Sequence, residues 1–308
     1  MKAPHRNTAG RNKRIITRTV LGLALVAVPA TAYAANAPAD HVSSHSTQHS
    51  TQHSSPYGTQ HGTQHSAQRA ASATGLDDPA KKEIAMKLVS SAENSSLDWK
   101  AQYKYIEDIG DGRGYTAGII GFCSGTGDML DLVKLYTDRE PGNPLAKYLP
   151  ALEKVNGSDS HSGLGSAFES AWKTAAKDTA FQTAQNDERD RVYFDPAVKQ
   201  GKADGVGVLG QFTYYDAIVM HGDGDDKTSF SSIRKRALAK AKTPAQGGNE
   251  TTYLNAFLDA RVWAMQQEEA HSDTSRVDTE QRVFLKNGNL DLHTPLNWKV
   301  YGDPYSIS

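Results

Sequence analysis

Glu93 and Asp111 stand eighteen residues apart, and their surroundings differ. Glu93 falls in the last turn of a helical pattern, beside the apolar stripe Ile84, Ala85, Leu88, Val89 and Ala92. A carboxylate gains nothing from the macrodipole at a helix C-terminus, which favours the protonated form. Asp111 lies in the glycine-rich turn Gly110-Asp111-Gly112-Arg113-Gly114, and Arg113 beside it favours the ionised form. One protonated acid and one ionised carboxylate are what glycosidases use: the first protonates the leaving oxygen, the second activates water or attacks the sugar. A return from helix to hairpin over this distance can set the two groups across a cleft. Most of the 35 Asp and Glu are expected on the solvated surface, so spacing alone does not single out this pair.

Other chemistries find little support. The single cysteine, Cys123, excludes a disulfide scaffold and any multi-cysteine metal site, and its apolar segment suits a buried structural thiol. Gly205-x-Gly207-x-x-Gly210 matches the dinucleotide pattern by letters but follows no buried strand. Asp223-Gly224-Asp225-Asp226 resembles the start of a calcium loop, yet Lys227 replaces a ligand and the closing Glu is missing. No H-E-x-x-H, G-x-S-x-G or Walker sequence occurs. No metal and no cofactor are expected.

The elements that must position the two acids can be read from periodicity. Asp78 and Pro79 predict a cap and first turn, with the helix ending near Asn94-Ser95-Ser96. Tyr115–Phe122 predicts a short strand, and Thr126 predicts the cap of a helix carrying Met129, Leu130, Leu132, Val133 and Tyr136. Helical patterns then cover about 164–184, 187–204, 206–221, 228–242, 250–271 and 276–286. The expectation is a mainly α chain with a small β element near residues 103–122.

The chain divides into three parts. Residues 1–34 read as an export signal: Arg11, Lys13, Arg14 and Arg18 precede the apolar run Val20–Val28, and Ala32-Tyr33-Ala34 fits the A-x-A cleavage pattern. The run is too short to span a bilayer comfortably, and no later stretch is long and apolar enough. Residues 35–74 are low in complexity, with Thr-Gln-His recurring four times. They hold six of the eleven histidines (His41, His45, His49, His53, His61, His65). Such a tract can bind transition metals, but its composition favours a disordered linker. Residues 75–308 form the folded region. The net charge of −1 hides an asymmetry, because residues 75–308 carry 27 Lys/Arg against 34 Asp/Glu, a net of −7. That sign argues against a nucleic-acid binder and suits a cationic partner.

Several long motifs in residues 75–308 resemble one family. These are Ser91-Ala92-Glu93-Asn94-Ser95-Ser96 and Tyr105-Ile106-Glu107-Asp108-Ile109-Gly110-Asp111-Gly112-Arg113-Gly114-Tyr115-Thr116. Further matches are Gly121–Asp128, Gln185–Arg189, Tyr214-Tyr215-Asp216 and Asp273–Thr279. Together they look like glycoside hydrolase family 46, the chitosanases. The resemblance implies a lysozyme-like, mainly helical (α+β) fold of two lobes around a substrate cleft. It implies endo-hydrolysis of β-1,4 bonds between glucosamine units with inversion. On the matching positions, Glu93 would be the general acid and Asp111 the general base activating water. Thr116 would help position that water, and Arg113 would tune Asp111. Asp128 would bind a glucosamine ammonium, while Asn94, Ser95, Tyr105, Tyr193 and His221 would line subsites. Asp216, Arg261 and Arg276 would form a buried charged network behind the acid, and a plain core salt bridge is compatible with that role. An inverting pair should lie about 6.5–9.5 Å apart or somewhat more in an open cleft, a retaining pair about 5–5.5 Å.

The acidic surface fits chitosan, a polycation in mildly acidic solution. The expected protein is a secreted, extracellular monomer acting on chitosan, with no nucleic acid and no membrane as partner after signal removal. Two other readings stand beside it: a catalytically silent binder of cationic glycan or cell surface, and a lysozyme-type muramidase.

Overall fold

The structure, a computed structural model, describes residues 75–267 and 272–308. The expected signal and histidine-rich tract lie outside the described residues. Helix α1 spans Pro79–Asn94, and the Asp78 carboxylate accepts from the Ala80 and Lys81 amides. Ser95 ends it in the left-handed region at φ 51° and sends its N–H back to the Ser90 carbonyl. A 3-10 turn, Trp99–Lys104, leads into a three-stranded antiparallel sheet of β1 (Ile106–Asp108), β2 (Tyr115–Ala117) and β3 (Phe122–Cys123).

The predicted single strand 115–122 is therefore two strands. Gly118 and Gly121 both adopt φ 77°, a conformation that costs glycine little, and they fold the run back on itself. The predicted Thr126 cap is also corrected. Gly127 is the cap of α2 (Asp128–Arg139), and the Thr126 hydroxyl donates to Asp128 Oδ1 instead.

Helices α3 (Leu149–Val155), α4 (Ser166–Ala175) and α5 (Thr179–Arg189) complete this part of the chain. The pattern 164–184 breaks because Asp178 caps α5, accepting from the Ala180 amide at 2.9 Å and the Tyr136 phenol at 2.6 Å. A π-helical turn, Asp190–Phe194, joins α5 to α6 (Asp195–Asp204). Then come α7 (Val208–His221), α8 (Phe230–Leu238) and α9 (Glu250–Met265). A second π-helical stretch, Arg276–Gln281, runs into α10 (Arg282–Lys286). The C-terminal hairpin of β4 (Leu296–Val300) and β5 (Asp303–Ile307) was not expected, although Leu296, Trp298 and Val300 alternate inward at the strand period.

Two apolar cores result. One gathers α1, α6–α10 and β4 around Phe212, Tyr214, Phe257 and Trp298. The other gathers the three-stranded sheet and α2–α5 around Phe122, Tyr136, Phe168 and Trp172. Trp99 packs against both, and the Arg189 guanidinium sits over its ring at 5.6 Å. The molecule is thus mainly helical and two-lobed, with α1 ending on one side of the boundary and the β1–β2 turn on the other. No described helix is long and apolar enough to cross a membrane.

The discounted motifs serve the fold. Gly205 closes α6 in the left-handed region, Gly207 caps α7, and a Cβ on Gly210 would meet Val206 at 2.5 Å. Asp223 accepts from Gly224 and from Ser231 in the first turn of α8, and Asp226 accepts from Thr228. Among the described residues no cluster of three His, Cys, Asp or Glu could hold a metal.

Candidate active site

Glu93 sits in the last turn of α1 with its side chain 40% exposed. The left-handed Ser95 stops the helix there, one residue after Asn94 closes it. Asn94 reaches back to Ser90 Oγ at 3.4 Å, and Ser95 is exposed. The apolar stripe of α1 faces the core, whereas the contact of Glu93 is polar: Arg276 Nη1 meets its Oε1 at 2.7 Å.

Arg276 is buried and belongs to a wider charged cluster. Its Nε and Nη2 donate to Asp216 on α7, the shortest at 2.7 Å. Arg261 on α9 pairs with the same carboxylate at 2.6 Å, and Gln281 Nε2 donates to it at 2.7 Å. Arg261 Nη1 also donates to Gln281 Oε1, and its Nη2 donates to the Asp216 carbonyl. Burial pushes the Asp216 carboxyl up, but the charges of Arg276 and Arg261 outweigh it and leave it at about 2. Burial lowers Arg261. For Arg276 burial works the same way, and the carboxylates of Asp216 and Glu93 more than reverse it. The structure thus brings the three predicted network residues together behind Glu93. It adds Gln281 and the buried Glu280, which the sequence reading passed over. Their signal was position: they follow Arg276 by four and five residues on one helical stretch.

Asp111 is held differently. Its side chain is 0% exposed, although it sits in a surface turn. Oδ1 accepts the Arg113 amide at 3.1 Å, and Oδ2 accepts Arg113 Nε and Nη2 at 2.8 and 2.5 Å. A carboxylate against a guanidinium with two N–H bonds is the strong form of this contact. The turn is possible because Gly110, Gly112 and Gly114 all take positive φ. Gly114 also packs so closely that a Cβ would meet Ser124 Oγ at 2.4 Å.

Several of the expected residues lie near this turn. Thr116 is buried on β2, opposite Glu107 on β1 and Cys123 on β3. The Tyr105 phenol donates to Glu107 at 3.3 Å, and burial followed by the Glu107 charge pushes it up to about 12. Cys123 is buried, and burial followed by the Asp128 charge lifts its thiol to about 11, consistent with a structural thiol. Asp128 opens α2 and accepts the Cys123 amide and the Thr126 hydroxyl at 3.0 and 2.5 Å. Burial nevertheless raises its carboxyl. Tyr193, on the first π-helical turn, packs against the helical-lobe core, and its phenol is pushed up by burial and then by the charge of Asp128. His221 ends α7 and is 6% exposed.

The arrangement offers a carboxyl on a helix end in one lobe and a carboxylate locked in a turn of the other. That is a constellation for acid–base hydrolysis across a lobe boundary.

Comparison with known proteins gives the same direction. Residues 87–296 match Glycosyl hydrolase family 46. A chitosanase from a Streptomyces species is 79% identical over 237 residues, covering 77% of this chain and 85% of the relative. A chitosanase of Bacillus subtilis is 38% identical over 236 residues, covering 73% and 83%. Among solved structures, a chitosanase co-crystallised with substrate is 62% identical with a TM-score of 0.73, covering 76% of this chain and 99% of the other. A family 46 chitosanase of Gynuella sunshinyii in complex with chitotetraose is 33% identical with a TM-score of 0.67, covering 74% and 97%.

Proposed function

As this chain belongs to glycosyl hydrolase family 46, we propose that it is a chitosanase with a lysozyme-like fold. It hydrolyses β-1,4 glucosaminidic bonds within chitosan by inversion. The observation that carries the reading is the pairing of Glu93 with Arg276 in one lobe and of Asp111 with Arg113 in the other. Glu93 protonates the departing glycosidic oxygen. As the proton leaves, the carboxylate that forms meets the Arg276 guanidinium, already aligned by Asp216. Charge that appears in the transition state next to a fixed opposite charge is the form of stabilisation that speeds a reaction. Asp111, held by Arg113, takes a proton from a water beside Thr116, and that water attacks the anomeric carbon from the opposite face. Acid and base are side chains, so the reaction as written needs no metal or cofactor.

Substrate charge supports the same reading. Folded-region acids outnumber bases by seven. Asp128, raised by burial, gains from an ammonium beside it, which an acetylated unit does not offer. Asn94, Ser95, Tyr105, Tyr193 and His221 complete the subsites. The protein works as a secreted monomer, freed of its signal after Ala34 and apart from nucleic acid and membrane. N-terminal sequencing of the exported protein checks that step.

NMR of the first-formed anomer tests the mechanism. Inversion at a β-bond gives the α-anomer first. A β-anomer recasts Asp111 as a nucleophile. Failure to release any reducing ends from chitosan leaves a binding protein.

A further inference from the structure

The folded region carries seven more acids than bases, yet one concavity on it gathers four lysines. It holds about 130 Å³ and opens to solvent between the 3-10 turn Trp99–Lys104 and the end of α4. Lys100 and Lys104 line it from the turn, and Lys173 and Lys177 line it from α4 and the residues just beyond. Tyr103 and Ala176, both buried in the sheet-lobe core, form its floor. The two walls are tied together: Trp172 of α4 donates Nε1 to the Tyr103 carbonyl at 3.1 Å, and Gln185 of α5 donates Nε2 to the same oxygen at 3.1 Å. No carboxylate lines the concavity, and none of its lining residues belongs to the cleft described above.

Ordinary pairing does not neutralise these charges. Lys100 Nζ lies 3.9 Å from Glu83 Oε2, and Lys173 Nζ lies 3.9 Å from Glu169 Oε2, both at the outer limit of an ion pair. The two lysine side chains are 63% and 55% exposed, so each contact is worth about 1 kcal/mol or less. Lys104 and Lys177 are exposed and pair with no described carboxylate. Lys173 and Lys177 gain from the negative end of the α4 dipole. That gain does not account for two further ammoniums brought by a separate segment to the same space, where like charges repel. An anion seated among them turns the repulsion into attraction. The donors select its chemistry. An ammonium is a compact charge with three rotatable donors and suits phosphate oxygens, whereas the planar fork that grips a carboxylate by two bonds belongs to arginine, and no arginine lines the concavity. A single phosphate, at about −1.5 to −2, leaves part of four positive charges uncompensated, and the open mouth lets a chain of phosphates run on.

We propose that this concavity is a binding site for a phosphate-bearing polyanion, whose successive phosphates pair with Lys100, Lys104, Lys173 and Lys177. The sheet lobe thereby holds a polyanion on its flank through groups that take no part in hydrolysis.

Titration calorimetry of the full-length protein at neutral pH and low salt tests it, with chitosan left out because the two polymers pair with each other. Long-chain inorganic polyphosphate should bind, and added salt should weaken the binding. The double variant Lys104→Ala, Lys177→Ala should bind about fivefold or more weakly, and replacing all four lysines by Ala should abolish binding. All four positions are exposed, so the variants should fold and turn over chitosan within about twofold of the wild type. No binding by the wild type overturns the proposal. Undiminished binding by the quadruple variant does so too, and moves the contact to other basic residues such as those of 1–74. Equal affinity for polyglutamate overturns the phosphate assignment. Competition by inorganic monophosphate as strong as by polyphosphate overturns the polymer and leaves a site for free phosphate. Should the quadruple variant not fold, the double variant and the two competitors still decide.

Discussion

The two lobes hold their carboxyl groups by opposite means. In the sheet lobe, Asp111 is buried and bound entirely within its own turn, by Arg113 two residues away. In the helical lobe, Glu93 is 40% exposed and bound by a guanidinium that lies more than half the chain away. That guanidinium is in turn held by Asp216, whose carboxylate also takes Arg261 and Gln281. The proposed base is thus local and rigid, and the proposed acid is held by tertiary structure. This matches their tasks. A base must hold one geometry, which two N–H bonds from an adjacent guanidinium secure. An acid must change charge, which calls for a partner set that tolerates both states.

The largest expected effects come from removing the groups themselves. Glu93→Gln has no proton to give and should lower kcat by about 10²–10⁴-fold or more with binding retained, the usual scale for a lost acid or base. Asp111→Asn should also cost orders of magnitude, with some residual rate where other groups recruit water. Steady-state kinetics on chitosan compare the two. Equal rates for wild type and both variants would remove the comparison altogether.

Next is the network. Asp216→Ala leaves two guanidiniums buried without their shared carboxylate, and breaking a buried pair costs about 3–5 kcal/mol. Denaturant unfolding should show that loss, together with a fall in kcat because Arg276 is no longer aligned on Glu93. Arg113→Ala removes one local partner and not the shared centre of a network. Its side chain is 18% exposed, so the loss of stability should be the smaller of the two, while kcat falls about tenfold as Asp111 loses its partner. If Arg113→Ala destabilises as much as Asp216→Ala, the local-against-tertiary distinction is wrong.

The smallest effect is one of sign. Asp216 has a folded pKa depressed to about 2, so its contribution is present above the unfolded value of about 3.9 and is lost as pH falls through the folded one. Glu280 is raised, so its contribution is full below the unfolded value of about 4.3 and is lost as pH rises toward the folded one. Unfolding free energies from mildly acidic to neutral pH should therefore decline less steeply in Glu280→Gln than in the wild type. Parallel curves would mean that Glu280 does not titrate differently on folding.

Much of the base was readable early because its contacts are local. The glycine turn, Arg113 beside Asp111, and the end of α1 at Asn94 all follow from residues within one turn of each other. The same holds for the Asp78 cap. Where the reading failed, a distant partner or a nearby glycine had intervened. Asp178 broke one predicted helix into α4 and α5, aided by the Tyr136 phenol from α2. Gly118 and Gly121 cut one strand into two. Asp216, Arg261 and Arg276 were named only through family resemblance, since no spacing rule joins them.

What the sequence by itself determined is a set of elements and the chemistry each could carry: an acid at a helix end, a base in a glycine turn with its own cation, an acidic surface. Hydrogen bonds between near neighbours depend on backbone geometry that a few residues fix. Only the tertiary structure decided that α7, α9 and Arg276–Gln281 converge behind Glu93, and that Glu280 is enclosed with them. Burial and charge compensation belong to no single segment. They arise when packed helices exclude water from one small volume and leave its charged groups only each other as partners.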